Sequence, residues 1–254
     1  MGILNVTPDS FSDGGRFLKP EDAVRRAVEL QSQGADIIDI GGQSTRPGHT
    51  PIPWEEEWAR LSPVLEKLRD KLSVPVSVDT YYPEVAARAL KLGADIINDV
   101  TGFSEKMWLV AASHKTCGCI VMHWADLQEC DDALSAVHSF FIEKQEQAKA
   151  FGIDSRRLCM DPGVGFGKSM EQNLQLLHRV HETKLSDAAF LMAASRKRVI
   201  GAPCGNPPFE ERMPGTIAAH TIAQLSGADI LRVHDVKQAV QAARVADAVL
   251  RERL

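Results

Sequence analysis

One phrase occurs three times in this chain and restricts its fold more than any other feature: GADIID at 34–39, GADIIN at 93–98 and GADILR at 227–232. Each copy follows a stretch of helical periodicity; before the first, Ala23-Val24, Ala27-Val28 and Leu30 fall on one face. A glycine at the end of such a stretch reads as the left-handed residue that stops a helix. The β-branched run behind it reads as a buried parallel strand, which needs apolar side chains on both faces. Helix stop, buried strand and polar end together form one β/α unit, so three copies predict a fold built by repetition.

Short apolar runs at 74–79, 118–123, 158–161 and 189–195 read as further strands, and one at 2–5 brings the number to eight. Patterns of helical period separate them at 54–71, 83–92, 104–113, 131–151, 169–183, 215–225 and 236–253. This alternation predicts an α/β fold, a (β/α)8 TIM barrel, in preference to an open doubly wound sheet, although periodicity by itself does not register closure. A length of 254 residues suits such a barrel, and no Gly/Ser linker or shift of composition divides it. Residues 1–254 are therefore expected to form a single domain.

Composition narrows the partners. A net charge of -5 supplies no general basic field, which argues against nucleic acid and membrane surfaces. A phosphate-bearing small molecule needs only a local cluster of donors and stays open. No stretch reaches the roughly 18 apolar residues of a membrane-spanning helix. The opening MGILNVTPDSF has neither the basic flank nor the apolar run of a signal peptide. Five cysteines, at 117, 119, 130, 159 and 204, are odd in number and irregular in spacing, which points to free thiols in the reducing cytoplasm. Cys117 and Cys119 lack the second pair that would complete a zinc set, so they read as buried strand thiols.

The strand ends gather polar residues at one rim: Asn5, Gln43, Asp79, Asn98, His123, Asp161, Lys197, Arg232, His234 and Asp235. Barrels carry their active sites on this face, and burying such groups is unfavourable unless a partner satisfies them. Asp79, Asn98, Asp161 and Lys197 combine acceptors for paired N–H groups, an amide and a cationic donor. That set complements a flat heterocycle whose amidine edge adjoins a carbonyl. The same residues could instead close the barrel top as an internal salt-bridge network. Two loops, 5–15 and 41–48, combine glycines, hydroxyls and a proline. They are either simple turns or, with Arg232 and His234 as further donors, a phosphate site. DPGVGFGK at 161–168 lacks the Gly-Lys-Ser/Thr ending of a nucleotide phosphate loop and reads as an ordinary barrel loop.

Taken in order, LNVTPDSFSDGG, GADIIDIGGQSTRPG, SVDT, IIND, MH, DPGVGFGK, SRK, IG, GT and RVHDV span residues 2–236. Together they resemble the dihydropteroate synthase family, TPDSFSDGG and STRPG being the most specific. The resemblance implies a transferase of folate biosynthesis, a sulfonamide target and usually a homodimer. Such an enzyme condenses 6-hydroxymethyl-7,8-dihydropterin diphosphate with 4-aminobenzoate to give 7,8-dihydropteroate and diphosphate. It places the pterin ring with Asp79, Asn98, Met122, Asp161 and Lys197, and packs Arg232 on the ring. Asp161, Lys197 and Arg232 are the expected catalytic residues. Asn5 would help hold Mg²⁺, while Arg46, Arg232 and His234 would hold the diphosphate. Phe11, Thr45, Pro47 and Phe166 would form the aminobenzoate pocket. The chain departs from the family pattern at Gln43 (usually Glu), Ala193 (usually Gly), Arg198 (often Ser) and in a shorter stretch after His123. None of these removes an expected ligand. The alternative is a pterin-binding paralogue with little or no synthase activity.

Overall fold

The fold was obtained as a computed structural model that describes residues 1–7, 19–44, 48, 50–68 and 70–252. Its strands are β1 (Gly2–Asn5), β2 (Ile38–Gly41), β3 (Val76–Asp79), β4 (Ile96–Asp99), β5 (Gly118–Met122), β6 (Leu158–Asp161), β7 (Ala189–Met192) and β8 (Ile230–Leu231). The helices are α1 (Pro20–Ser32), α2 (Trp54–Leu68), α3 (Pro83–Lys91), α4 (Glu105–Ser113), α5 (Ala133–Ala150), α6 (Met170–His178), α7 (Val180–Thr183), α8 (Arg198–Gly201), α9 (Met213–Leu225) and α10 (Val236–Arg251). None is long and apolar enough to cross a membrane.

Each copy of the repeated phrase turns a helix into a strand. Gly34, Gly93 and Gly227 take φ of 97, 102 and 112° after α1, α3 and α9, a region where an L side chain is strained. In two copies the aspartate of the phrase stitches the neighbouring strand in place. Asp95 accepts the Val76 N–H at 2.9 Å, and Asp229 accepts the Phe190 N–H at 2.8 Å.

The strands pair in chain order from β1 to β8, each pair parallel. Gly2 then bridges Val233 in parallel, and the Ile3 N–H donates to the Val233 carbonyl at 3.0 Å, closing the ring. Alternate residues face inward. Lower in the barrel they are apolar: Ile37, Ile96, Ile120, Leu191 and Ile230 pack together with Cys159. The outward residues, such as Ile40, Val78, Ile97, Met160 and Phe190, join Leu30, Leu61, Val85, Phe141 and Leu176 of the helices in a larger core. Toward the carboxyl ends the inward side chains become charged, and there the site lies.

Several expected element ends are corrected. The helix predicted over 54–71 stops at Leu68, and β3 begins at Val76 rather than 74, since Pro75 has no N–H to give a sheet. The helix predicted over 169–183 is two, broken at Arg179 with φ −112° and ψ 43°. The buried residues Asn173, Leu176, Leu177 and Val180 keep helical spacing across that break, so periodicity cannot register it. The strand predicted to 195 stops at Met192 because side chains take the next N–H groups. Ala194 donates to His220 Nε2 at 3.2 Å and Arg196 to Thr216 Oγ1 at 2.9 Å.

Candidate active site

Sheet register builds the site. Asn5 pairs with Gly41, Gly41 with Asp79 and Asp79 with Asn98, while Met122 pairs with Asp161. These pairings bring residues far apart in sequence to the barrel mouth. Asp39 sits one inward position below Gly41. Arg232, just past β8, reaches across and donates from Nε to Asp39 Oδ2 at 2.7 Å and from Nη2 to Asp79 Oδ2 at 2.8 Å. Asn98 Nδ2 donates to the same Asp39 Oδ2 at 3.2 Å.

Burial dominates the electrostatics. It pushes the Asp79 carboxyl up to about 7 against the pull of Arg232. It raises Asp161 as well, against Lys197 and the Gly163 N–H. The same loss of hydration lowers the Lys197 ammonium to about 8, with Asp161 opposing. Lys197 Nζ donates to the Val164 carbonyl at 2.7 Å and sits 4.7 Å from the centre of the Phe166 ring. Two buried oxygens, Asp39 Oδ1 and Asp79 Oδ1, have no partner among the described residues. Leaving a buried acceptor unmatched is unfavourable by about 1–3 kcal/mol, so Asp79 in particular asks for a donor from a ligand.

Beyond β7 and β8 a second group forms the rim. Arg196, at φ 58°, donates from Nε and Nη2 to the two Asp235 oxygens at 2.8 and 2.6 Å. That fork joins the two loops and sets Ser195 Oγ 3.0 Å from His234 Nδ1. A hydroxyl and an imidazole held side by side suit an anion.

Some expected rim residues do other work. His123 follows the inward Met122 and therefore points outward, its ring edge-on to Phe140 at 4.8 Å. Burial lowers it to about 4, so it packs as a neutral ring. Asp235 is committed to Arg196. Gln43 donates from Nε2 to Glu57 Oε2 at 2.7 Å and accepts the Tyr81 hydroxyl at 3.2 Å. It thus fastens the start of the β2–α2 connection to α2 and to the chain after β3. Burial pushes Glu57 up to about 7.

Ala193 lies buried in the barrel interior, and Arg198 is exposed at the start of α8. The short stretch after His123 is held by Gln172, whose Nε2 donates to the Leu127 and Cys130 carbonyls at 2.7 and 3.0 Å. Cys117 and Cys119 are buried and unpaired. Phe11, Thr45, Arg46 and Pro47 lie outside the described residues.

Sequence reasoning missed Asp39 and Lys168. Lys168 Nζ donates to the carbonyls of His123 (3.2 Å), Gly163 (3.2 Å) and Phe166 (2.9 Å). Its partners are backbone atoms, which no residue pattern announces. Asp39 did carry a signal: it holds the place in the repeated phrase that Asn98 and Arg232 hold in the other two copies.

A closed (β/α)8 barrel with buried carboxylates, an amide and cations at the carboxyl ends of its strands defines a small-molecule enzyme. Residues 1–234 match the family described as Pterin binding enzyme. Dihydropteroate synthase of Synechocystis sp. is 42% identical over 260 residues, covering 99% of this chain and 90% of that protein. The crystal structure of dihydropteroate synthase from Clostridium difficile in the presence of pteroic acid superposes with a TM-score of 0.93 at 43% identity, covering 98% of this chain and 95% of that one. The Xanthomonas albilineans dihydropteroate synthase with 4-aminobenzoic acid gives 0.93 at 44% identity, covering 98% and 92%. The chain belongs to the dihydropteroate synthase family of pterin-binding enzymes, which are transferases.

Proposed function

We propose that this chain is a working dihydropteroate synthase, joining 6-hydroxymethyl-7,8-dihydropterin diphosphate to 4-aminobenzoate with release of diphosphate. The observation that carries the reading is the convergence of Asp79, Asn98, Asp161 and Lys197 on one mouth, with Asp79 Oδ1 buried and unpartnered. Carboxylates and an amide oxygen accept the N–H edge of the ring, Lys197 donates to it, and Met122 lines the pocket. The reaction is dissociative: the bond to diphosphate breaks, positive charge grows on the pterin, and the arylamine nitrogen attacks and then gives up a proton to water or the departing diphosphate. Asp79 and Asp161, held away from water, stabilise that charge through a preorganised field rather than by acting as strong bases. Ser195 and His234 stand at the rim where the diphosphate departs, with Arg46 as the further expected donor. Phe166, with Phe11, Thr45 and Pro47, would form the aminobenzoate pocket.

Magnesium would be held at this site together with the diphosphate. Among the described residues no group of three or more His, Cys, Asp or Glu could hold a metal ion. Asn5 offers one amide oxygen beside Gly41, and Mg²⁺ is commonly shared between a few protein oxygens and substrate phosphates. When bound it would neutralise the leaving group. A coupled assay should therefore show diphosphate release that depends on 4-aminobenzoate, rises with magnesium and falls in chelator with an unchanged unfolding midpoint. Pterin binding without release would make the chain a binding paralogue, and equal rates in excess chelator would remove the metal.

The chain is further read as one domain and as a homodimer of the cytoplasm. Exposed Ile222, Leu225, Val245, Val249 and Leu250 give α9 and α10 an apolar outer face, which supports a second copy as partner. Val249→Asp should convert a dimer to a monomer in light scattering, and a monomeric wild type would remove this reading. Five free cysteines suit a reducing compartment, and cell fractionation checks it.

A further inference from the structure

We infer that Asp39 is a positioning residue for ligand recognition: it fixes which face of the Asn98 amide the ligand meets, and so selects a heterocycle that presents an N–H there. The inference rests on the pterin-binding reading above. Asp39 is fully buried on β2, and its Oδ2 accepts from Arg232 Nε at 2.7 Å and Asn98 Nδ2 at 3.2 Å, with the Arg232 Nη2 ion-pair contact at 2.6 Å beside them.

An ionised carboxylate only accepts hydrogen bonds. The Asn98 group facing it must therefore be the NH₂, which leaves the Asn98 oxygen for whatever enters the mouth. No described residue donates to that oxygen. Without the carboxylate the amide could turn over and offer donors instead of an acceptor, reversing what the site reads at this point. Asp39 also shares with Asp79 the task of holding Arg232 in place.

A purely structural role explains the arrangement less well. Buried ion pairs contribute little net stability compared with apolar packing, and Asp39 Oδ1 is left buried without a partner. The three residues also occupy the same position of the thrice-repeated phrase, on β2 and β4 and just past β8. Side chains of alternate strands form common layers inside a barrel. Here such a layer is polar and interlocked where the layer below is apolar.

The test is calorimetry with 6-hydroxymethylpterin on the wild type, Asp39→Asn, Asn98→Ala and the double variant. Asp39→Asn, folded by circular dichroism, should bind at least about tenfold more weakly, while the KM for 4-aminobenzoate stays near the wild-type value. In the Asn98→Ala background the same change should have a clearly smaller further effect, the part that runs through Arg232, because partners in one network are not additive. Should Asp39→Asn fail to fold, Asp39→Glu keeps the charge for Arg232, displaces the oxygens and carries the same test. Wild-type affinity in a folded variant, or losses that simply add, would overturn the role of Asp39 alone. A wild-type protein that does not bind the probe would overturn the functional reading first.

Discussion

Replacing Asp161 by alanine should weaken pterin binding by about 2 kcal/mol or more, roughly thirtyfold in Kd. Its carboxylate ends β6 inside the barrel, 5% exposed, and Oδ1 already accepts the Gly163 N–H at 2.7 Å. Alanine removes the acceptors that a ring N–H edge needs and leaves the Gly163 N–H without its partner. It also takes away the main counter-charge of Lys197, whose ammonium is already lowered to about 8 by burial. Asp161→Asn separates these effects: it keeps an acceptor for Gly163 and the local shape but loses the charge. An asparagine variant that binds between wild type and alanine would show that both shape and charge matter. Unchanged affinity of the alanine variant by calorimetry would place Asp161 outside the site.

Gly163→Ala should destabilise the protein by at least about 3 kcal/mol, a fall of roughly 6–12 °C in Tm. Gly163 has φ +68°, and a Cβ there would lie 2.0 Å from the His123 carbonyl oxygen. Neither neighbour can yield cheaply. The His123 N–H is tied to the Asp161 carbonyl at 2.9 Å, and its oxygen accepts from Lys168 Nζ at 3.2 Å. The loop would have to move away, breaking the Gly163 bond to Asp161 and disturbing the Lys168 cage, so pterin affinity should fall with stability. Gly152→Ala is the control, since Gly152 also has a positive φ, +73°, but nothing lies within 4 Å of its Cβ position. It should lose only the roughly 1–2 kcal/mol of a left-handed alanine. Equal midpoint shifts in the two variants would mean that the close approach at Gly163 does not matter.

The architecture was legible in the sequence because its determinants are local. A glycine at a helix end, a β-branched run and an apolar stripe of helical period each depend on neighbours a few residues away. The threefold repetition of GADI then marked three such units, and the short apolar runs between helical stretches supplied the other five. The residue types of the mouth were legible for the same reason: a charged or amide side chain at the end of a buried strand stands out against its own apolar run.

Only the tertiary structure decided which of those side chains meet. Arg232 and Asp39 are 193 positions apart, and nothing short of the closed ring with its register brings them together. Met122 and His123 are adjacent in sequence, yet the pleat sends one inward and turns the other toward Phe140. Gln43 looks like a rim residue until Glu57, on the following helix, is seen to hold it. The physical reason is common to all three. Backbone preference acts over one turn or one strand, whereas a side chain's partner and charge state depend on burial and on groups delivered by other strands.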